Sequence, residues 1–320
     1  MSENNDSQIK QYLNKFSEWR QARKTKKEEQ KPQTFSEKAW SWTKTIVGAV
    51  LVVMVINGLL IASFVVPTGS MENTVMTGDF LFVNKFVYGP STPQVVPFLN
   101  IPLPFYKFPG MKDPEQGDVI VFIYPGDRDE IQAREFQYYL KRCVATAGDT
   151  LQIIGHKVLV NNKEFKLPEH GTYDLNVPET PAEKWLTFPA GREYTRNNYG
   201  PIRIPKKGDV INLTNENWKE WEYFIKKEGS NIEILSGKIN IDDKPASKYT
   251  VKRDYCFGLG DNRDHSLDSR YWGFIPYENV VGTPIMVYWS WQSRDEYGNE
   301  LGLLEKIGKI RWGRLFGFVD

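Results

Sequence analysis

The chain has 320 residues, 40% apolar and 25% charged, with 41 Lys and Arg against 40 Asp and Glu and a mean hydropathy of −0.49. These figures exclude a polytopic membrane protein, a collagen-like chain and a wholly disordered one, and a net charge of +1 argues against nucleic acid as a partner. Two cysteines, Cys143 and Cys256, cannot build a disulfide framework, and three scattered histidines (His156, His170, His265) have no metal-ligand spacing, so neither a metal nor another cofactor is expected.

Residues 1–44 form a polar, basic tail with 10 Lys and Arg against 6 Asp and Glu. From Thr45 to Val66 the chain then runs 22 residues without a charge. As a helix this run would span roughly 33 Å, enough to cross a bilayer. It lacks the polar face of a core helix, and it is too long for the apolar region of a cleaved leader. The reading is a transmembrane helix over 45–66. Lys26, Lys27, Lys31, Lys38 and Lys44 precede it, whereas residues 67–85 carry only Lys85. The positive-inside rule then places the N-terminus in the cytoplasm and the body outside it.

Beyond the span the sequence reads as strands. Gly78-Asp79, Gly117-Asp118 and Gly208-Asp209 each open an apolar run, Tyr138–Val144 forms another, and Asn161-Asn162 marks a hairpin. One helix is expected, capped by Thr214 or Asn215, with Trp218, Trp221 and Ile225 as its apolar face and Gly229 at its end. Val280–Trp291 is a strong late strand. No βαβ alternation is present, so the fold class is mostly β. Residues 89–111 are Pro-rich and apolar and read as a covering loop or a second lipid contact.

Three stretches carry chemistry. Ser70, in Pro67-Thr68-Gly69-Ser70-Met71, lies close after the span, where a nucleophile would suit a membrane-held substrate. A serine needs a base. His265 is one candidate. Lys141 is the other, a lysine within an apolar strand, useful only if burial lowers its pKa; an exposed edge lysine is the plain alternative. Cys143 shares the face of Lys141 by strand alternation and is expected to line the same pocket; small buried cysteines being common, two free thiols are expected rather than a bridge. The third stretch, Gly260–Gly273, is dense in charges of both signs, which must pair with one another if the turn is ordered.

Taken in order behind the apolar span, Pro67–Met71, the strand Gly78–Lys85, Gly117–Phe122, Lys141-Arg142 with Ala147-Gly148-Asp149, and Gly260–Gly273 resemble type I signal peptidase, the bacterial leader peptidase. The likeness covers about residues 45–165 and 231–318. It implies a signal-peptidase-like β catalytic core over 67–154 and 251–320, an inserted β-rich domain over 155–250, and a single-pass enzyme of the bacterial inner membrane. The implied activity is removal of signal peptides from preproteins by a Ser/Lys dyad, with signal peptides and the lipid bilayer as partners. By the same resemblance Ser70 matches the nucleophile and Lys141 the base. The Ser70 N–H and Thr68 hydroxyl match the oxyanion donors. Ser266 matches the hydroxyl that orients the lysine, Gly260 the close-approach position, and Asp268 and Arg270 a supporting ion pair. Two other readings stay open: a dedicated Ser/Lys processor of the conjugation-pilin kind, and an inactive, membrane-tethered binding module. The chain departs from the family pattern where Asn73-Thr74-Val75 replaces Pro-Thr-Leu and where Ala145–Asp149 replaces Gly-x-Pro-Gly-Asp.

Overall fold

The computed structural model describes residues 15, 18, 34–92, 106–235, 237–295 and 298–319. Most of 1–44 and the stretch 93–105, which includes Phe98, Leu99 and Phe105 of the proposed lipid contact, lie outside the described residues. The chain divides into two compact units, Met1–Val53 and Met54–Asp320, and the division falls within its first helix.

That helix, α1, spans Phe35–Leu59 and is long and apolar enough to cross a membrane. It begins before the uncharged run and stops short of its end. The expected span of 45–66 is therefore corrected: Ile61–Val65 is a strand, β1, paired antiparallel with β2 (Asp79–Asn84) from Ile61↔Asn84 to Val65↔Phe80. An uninterrupted apolar run has no period to separate helix from buried strand. Here the alternation of Ala62, Phe64 and Val66 decides, because these three turn inward.

The remaining strands are β3 (Val119–Ile123), β4 (Tyr138–Ala145), β5 (Thr150–Ile154), β6 (Lys157–Val160), β7 (Lys163–Phe165), β8 (Asn198–Arg203), β9 (Val210–Asn212), β10 (Ile232–Leu235), β11 (Lys238–Ile241), β12 (Lys244–Pro245), β13 (Lys248–Thr250), β14 (Tyr255–Leu259), β15 (Ile275–Pro276) and β16 (Val280–Ser290). The fold is thus mostly β. The helices of the body are short: α2 (Glu183–Leu186), α3 (Trp218–Lys227), α4 (Ser269–Trp272) and α5 (Leu303–Gly308). The expected helix is α3, which buries Phe224 and Ile225.

One seven-stranded sheet, in the order β1-β2-β16-β3-β4-β14-β15, carries the motifs. Its strands come from both ends of the body, before residue 146 and after residue 254. Between them the chain builds a four-stranded sheet, β7-β6-β5-β8, a three-stranded one, β10-β11-β12, and the pair β13-β9. These smaller sheets share a core with the large one: Val144 of β4 and Phe257 and Leu259 of β14 pack in one cluster with Leu151, Tyr199, Ile225 and Tyr249.

Four of the chain's Gly-Asp pairs do the same local work. At Gly78, Gly117, Gly148 and Gly208 φ lies between 89° and 100°, a left-handed turn that glycine adopts without strain. The aspartate that follows accepts a hydrogen bond from the backbone N–H three residues earlier, at Met76, Glu115, Thr146 and Lys206. Each pair reverses the chain and starts it in a fixed direction.

Cys143 and Cys256 are free and buried on the neighbouring strands β4 and β14. Cys143 does not line a cleft; it packs with Ile120, Trp272 and Ile275 in the core behind β4. Alternation does keep it on the face of Lys141, since the register shift between β14 and β4 falls beyond it and Trp272, whose ring lies 6.0 Å from the lysine amine, packs in its cluster; on that face Cys143 is covered by core side chains rather than open to the cleft.

Two outcomes follow. Thiol titration of denatured, unreduced protein will find both cysteines free. A truncated body that begins at Gly58 will melt as a folded unit, whereas one that begins at Pro67 lacks β1 and will melt at least about 5 °C lower by circular dichroism.

Candidate active site

Ser70 sits in a loop that leaves β1 and returns to β2. The loop is closed at its neck by Val66 N–H donating to Asp79 O and Gly78 N–H donating to Val66 O, both at 2.9 Å. Within it Val75 N–H donates to Met71 O and Glu72 N–H to Gly69 O. Asn73 takes φ +72°. Proline is locked near −65°, so the family's proline could not occupy this turn as it is formed here. Asparagine tolerates the left-handed region.

Lys141 lies in β4, with Ile120 of β3 opposite it on one side and β14 on the other. The strand is central in the sheet, so Lys141 is only 3% exposed. Its Nζ lies 2.7 Å from Ser70 Oγ and donates to the Leu140 carbonyl at 3.0 Å. The rings of Tyr139 and Trp272 lie 5.7 and 6.0 Å away. Burial lowers the lysine's pKa to about 8. The Asp268 carboxylate opposes that shift, and the Arg270 guanidinium adds to it. A neutral amine at the same 2.7 Å accepts the serine proton rather than donating one.

The acid-rich stretch folds inward around this contact. Asp268 and Arg270 are both buried and bidentate, with Nε–Oδ1 at 2.8 Å and Nη2–Oδ2 at 2.7 Å. Burial by itself would raise the Asp268 pKa, but the charge and hydrogen bonds of Arg270 and the Gly260 N–H hold it below the usual carboxylate value. That N–H donates to Asp268 Oδ2 at 3.1 Å. Arg270 also caps the Arg263 and Arg196 carbonyls. Gly260 has no room for a Cβ, which would collide with Ser266 Oγ and the Ser70 carbonyl.

Ser266 is buried against Gly260, and its hydroxyl makes no hydrogen bond. Lys141 spends its bonds on Ser70 and Leu140 instead, so the structure does not bring the Ser266 hydroxyl to the lysine. His265 lines the cleft that holds Ser70 but makes no hydrogen bond to it: its Nε2 pairs with Asp174 at 3.1 Å, on a half-exposed ring. Thr68 is exposed, and among the described residues neither its hydroxyl nor the Ser70 N–H is engaged in a hydrogen bond. Both residues line a cleft of about 820 Å³ whose other walls include Phe64, Val66, Tyr138 and Leu140.

Several contacting residues escaped the sequence reading. Arg142 donates bidentately to Asp261, with Nη2–Oδ2 at 2.7 Å, and also to the Gly117 carbonyl. Asp261 in turn accepts from Thr74 Oγ1 at 2.6 Å. Asn262 N–H and Nδ2 bind the Ser70 and Gly69 carbonyls at 3.1 and 3.0 Å. Gly258 brings β14 close to Lys141, where a Cβ would lie 3.0 Å from the lysine's own Cβ. A signal was available for Arg142, as a second charge inside an apolar strand, and for Asp261 and Asn262, which lie in the charge-dense stretch 260–273.

The sequence model of the family described as signal peptidase, peptidase S26, matches residues 39–289. A protein named signal peptidase I from Pseudomonas aeruginosa is 30% identical over 277 residues, covering 83% of this chain and 78% of its own. One of the same name from Rickettsia typhi is 30% identical over 267 residues, covering 82% and 84%. One from Helicobacter pylori strain 26695 is 27% identical over 297 residues, covering 89% and 94%.

Replacing Gly260 by Ala will lower kcat by about 10²-fold, because the added methyl must displace the Ser70 backbone. Replacing Asp268 by Ala will cost about 3–5 kcal/mol in denaturant unfolding, because it leaves the Arg270 charge buried and unpaired.

Proposed function

The chain belongs to the signal peptidase family, peptidase S26, and we infer that it performs that family's hydrolysis, removal of signal peptides from preproteins, with Ser70 as nucleophile and Lys141 as general base. The observation that carries this assignment is a buried amine, its pKa lowered to about 8, at 2.7 Å from the serine oxygen. Neutral Lys141 takes the proton as Ser70 Oγ attacks the scissile carbonyl, and returns it to the leaving amine as the acyl-enzyme forms. A water activated by the same amine then releases the acyl group. The Ser70 N–H and Thr68 hydroxyl, both unspent at the cleft, are the donors we assign to the developing oxyanion. Asp268 and Arg270 fix the loop that shields the lysine. Ser266 contributes packing beside Gly260 and Ser70 rather than a hydrogen bond to the base.

The substrate is a membrane-held preprotein, and the apolar α1 is the segment we assign to the bilayer. The flanking lysines support a cytoplasmic N-terminus and an extracytoplasmic body. Tethering enzyme and substrate in one membrane raises their effective concentration without any added contact. We assign catalysis to residues 67–154 and 251–320 together with β1, and a supporting role to the block 155–250.

The pH–rate profile tests the base. Below the lysine's pKa the amine is charged and cannot accept a proton, so kcat will rise with pH through an apparent value near 8. Ser70→Ala and Lys141→Arg will be inactive against a purified preprotein, the latter because guanidinium stays charged. His265→Ala will remain active. A Lys141→Arg enzyme of near-normal rate, or an inactive His265→Ala enzyme, would overturn the dyad. Thr68→Val will lose about 10²–10³-fold in kcat, and Thr68→Ser will keep most of it.

A further inference from the structure

The loop that carries Ser70 is held from two sides. On the cleft side Asn262 binds the Gly69 and Ser70 carbonyls, and Asp261 accepts the Thr74 hydroxyl. On the opposite side the tethers come from the C-terminal segment. Arg314 Nη2 donates to the Thr74 carbonyl at 3.2 Å and to Asp79 Oδ2 at 2.7 Å. Its Nε donates to the same carboxylate at 3.1 Å. Arg311 Nη1 donates to the Thr77 carbonyl at 3.0 Å. Asp79 is fully buried and also accepts from Met76 N–H at 2.8 Å and Ser290 Oγ at 2.6 Å. The segment is itself docked on β16, where Arg311 N–H binds Ser290 O and Phe316 N–H binds Val287 O.

Thr74 is therefore gripped by its hydroxyl from one side and by its carbonyl from the other. The hydroxyl arm runs through Asp261 to Arg142, the residue beside Lys141 on β4. The carbonyl arm runs through Arg314 to Asp79, where the loop rejoins the sheet. We propose that Arg314 and Asp79 are positioning residues that fix the distance between Ser70 and Lys141 without touching either. A productive dyad needs its atoms held to within about 0.5 Å, and a loop anchored on one side only would let Ser70 swing out of that range.

This inference rests on the Ser70/Lys141 assignment, and the test separates the two. With the full chain and a preprotein substrate, Arg314→Gln will lower kcat by about 10–100-fold while KM changes less than about twofold. The assay is run well below the melting temperature, with the variant shown fully folded by circular dichroism. The double variant Asp79→Asn, Arg314→Gln will be no slower than the slower single variant, because the pair acts as one unit. Arg314→Lys, which restores the charge but cannot reach the carbonyl and the carboxylate together, will recover only part of the rate. Full kcat for folded Arg314→Gln, or a loss that only tracks the unfolded fraction, would overturn the proposal while leaving the dyad intact. An active Ser70→Ala enzyme would instead overturn the dyad itself.

Discussion

A lysine can take a proton from serine only while it is uncharged, and in this fold that condition depends on burial. Lys141 stands on β4, fifth of seven strands, with β3 and β14 against it and aromatic rings around its amine. Removing an ammonium from water costs free energy that the neutral amine does not incur, so the pKa falls. The architecture serves that requirement. A central strand supplies the dry wall, two glycines on β14 and beyond it allow the close approach, and the loop after β1 delivers the hydroxyl.

Such a site needs charges nearby to hold its loops, yet an unpaired charge would disturb the lysine. The stretch 260–273 meets both demands largely by pairing its charges within the protein, while its buried Arg263 donates to the Gly260 carbonyl and the Tyr173 hydroxyl. Asp268 with Arg270, Asp261 with Arg142 and Asp264 with Arg196 are each buried and in hydrogen-bonding contact. At Lys141 desolvation is the leading cause of the shift; Asp268 opposes it, Arg270 adds to it and Asp261 opposes it. Buried ion pairs are a weak source of stability, since desolvation offsets most of the Coulomb gain. Their strict geometry fits them to hold a loop in one conformation.

The block between the two halves of the large sheet is more than an appendage. Its strands share a core with β4 and β14. Its segment around Thr172 runs beside the stretch 260–273, with Thr172 N–H donating to Asp261 O and Arg263 N–H to Thr172 O. Arg196, from the same block, pairs with Asp264 and Glu183. The loop that shields the lysine is therefore braced by residues that lie outside the motif strings.

The sequence by itself determined what local chemistry can specify. An uncharged run announced a helix able to span a membrane, Gly-Asp pairs announced the turns, and the motif strings pointed to the family and singled out Ser70 and Lys141. Contacts between distant residues were decided only by the tertiary structure. Where the apolar run changes from helix to strand is settled by pairing with β2, a partner invisible to local pattern. That Cys143 packs into the core, and that Ser266 makes no bond to the lysine, follows from tertiary packing. Nothing local marks Arg314 as the partner of Asp79 until the chain brings residues more than 200 positions apart into one network. Local sequence encodes propensity and period; which side chains meet across a sheet depends on register and closure, and those emerge only when the whole body packs.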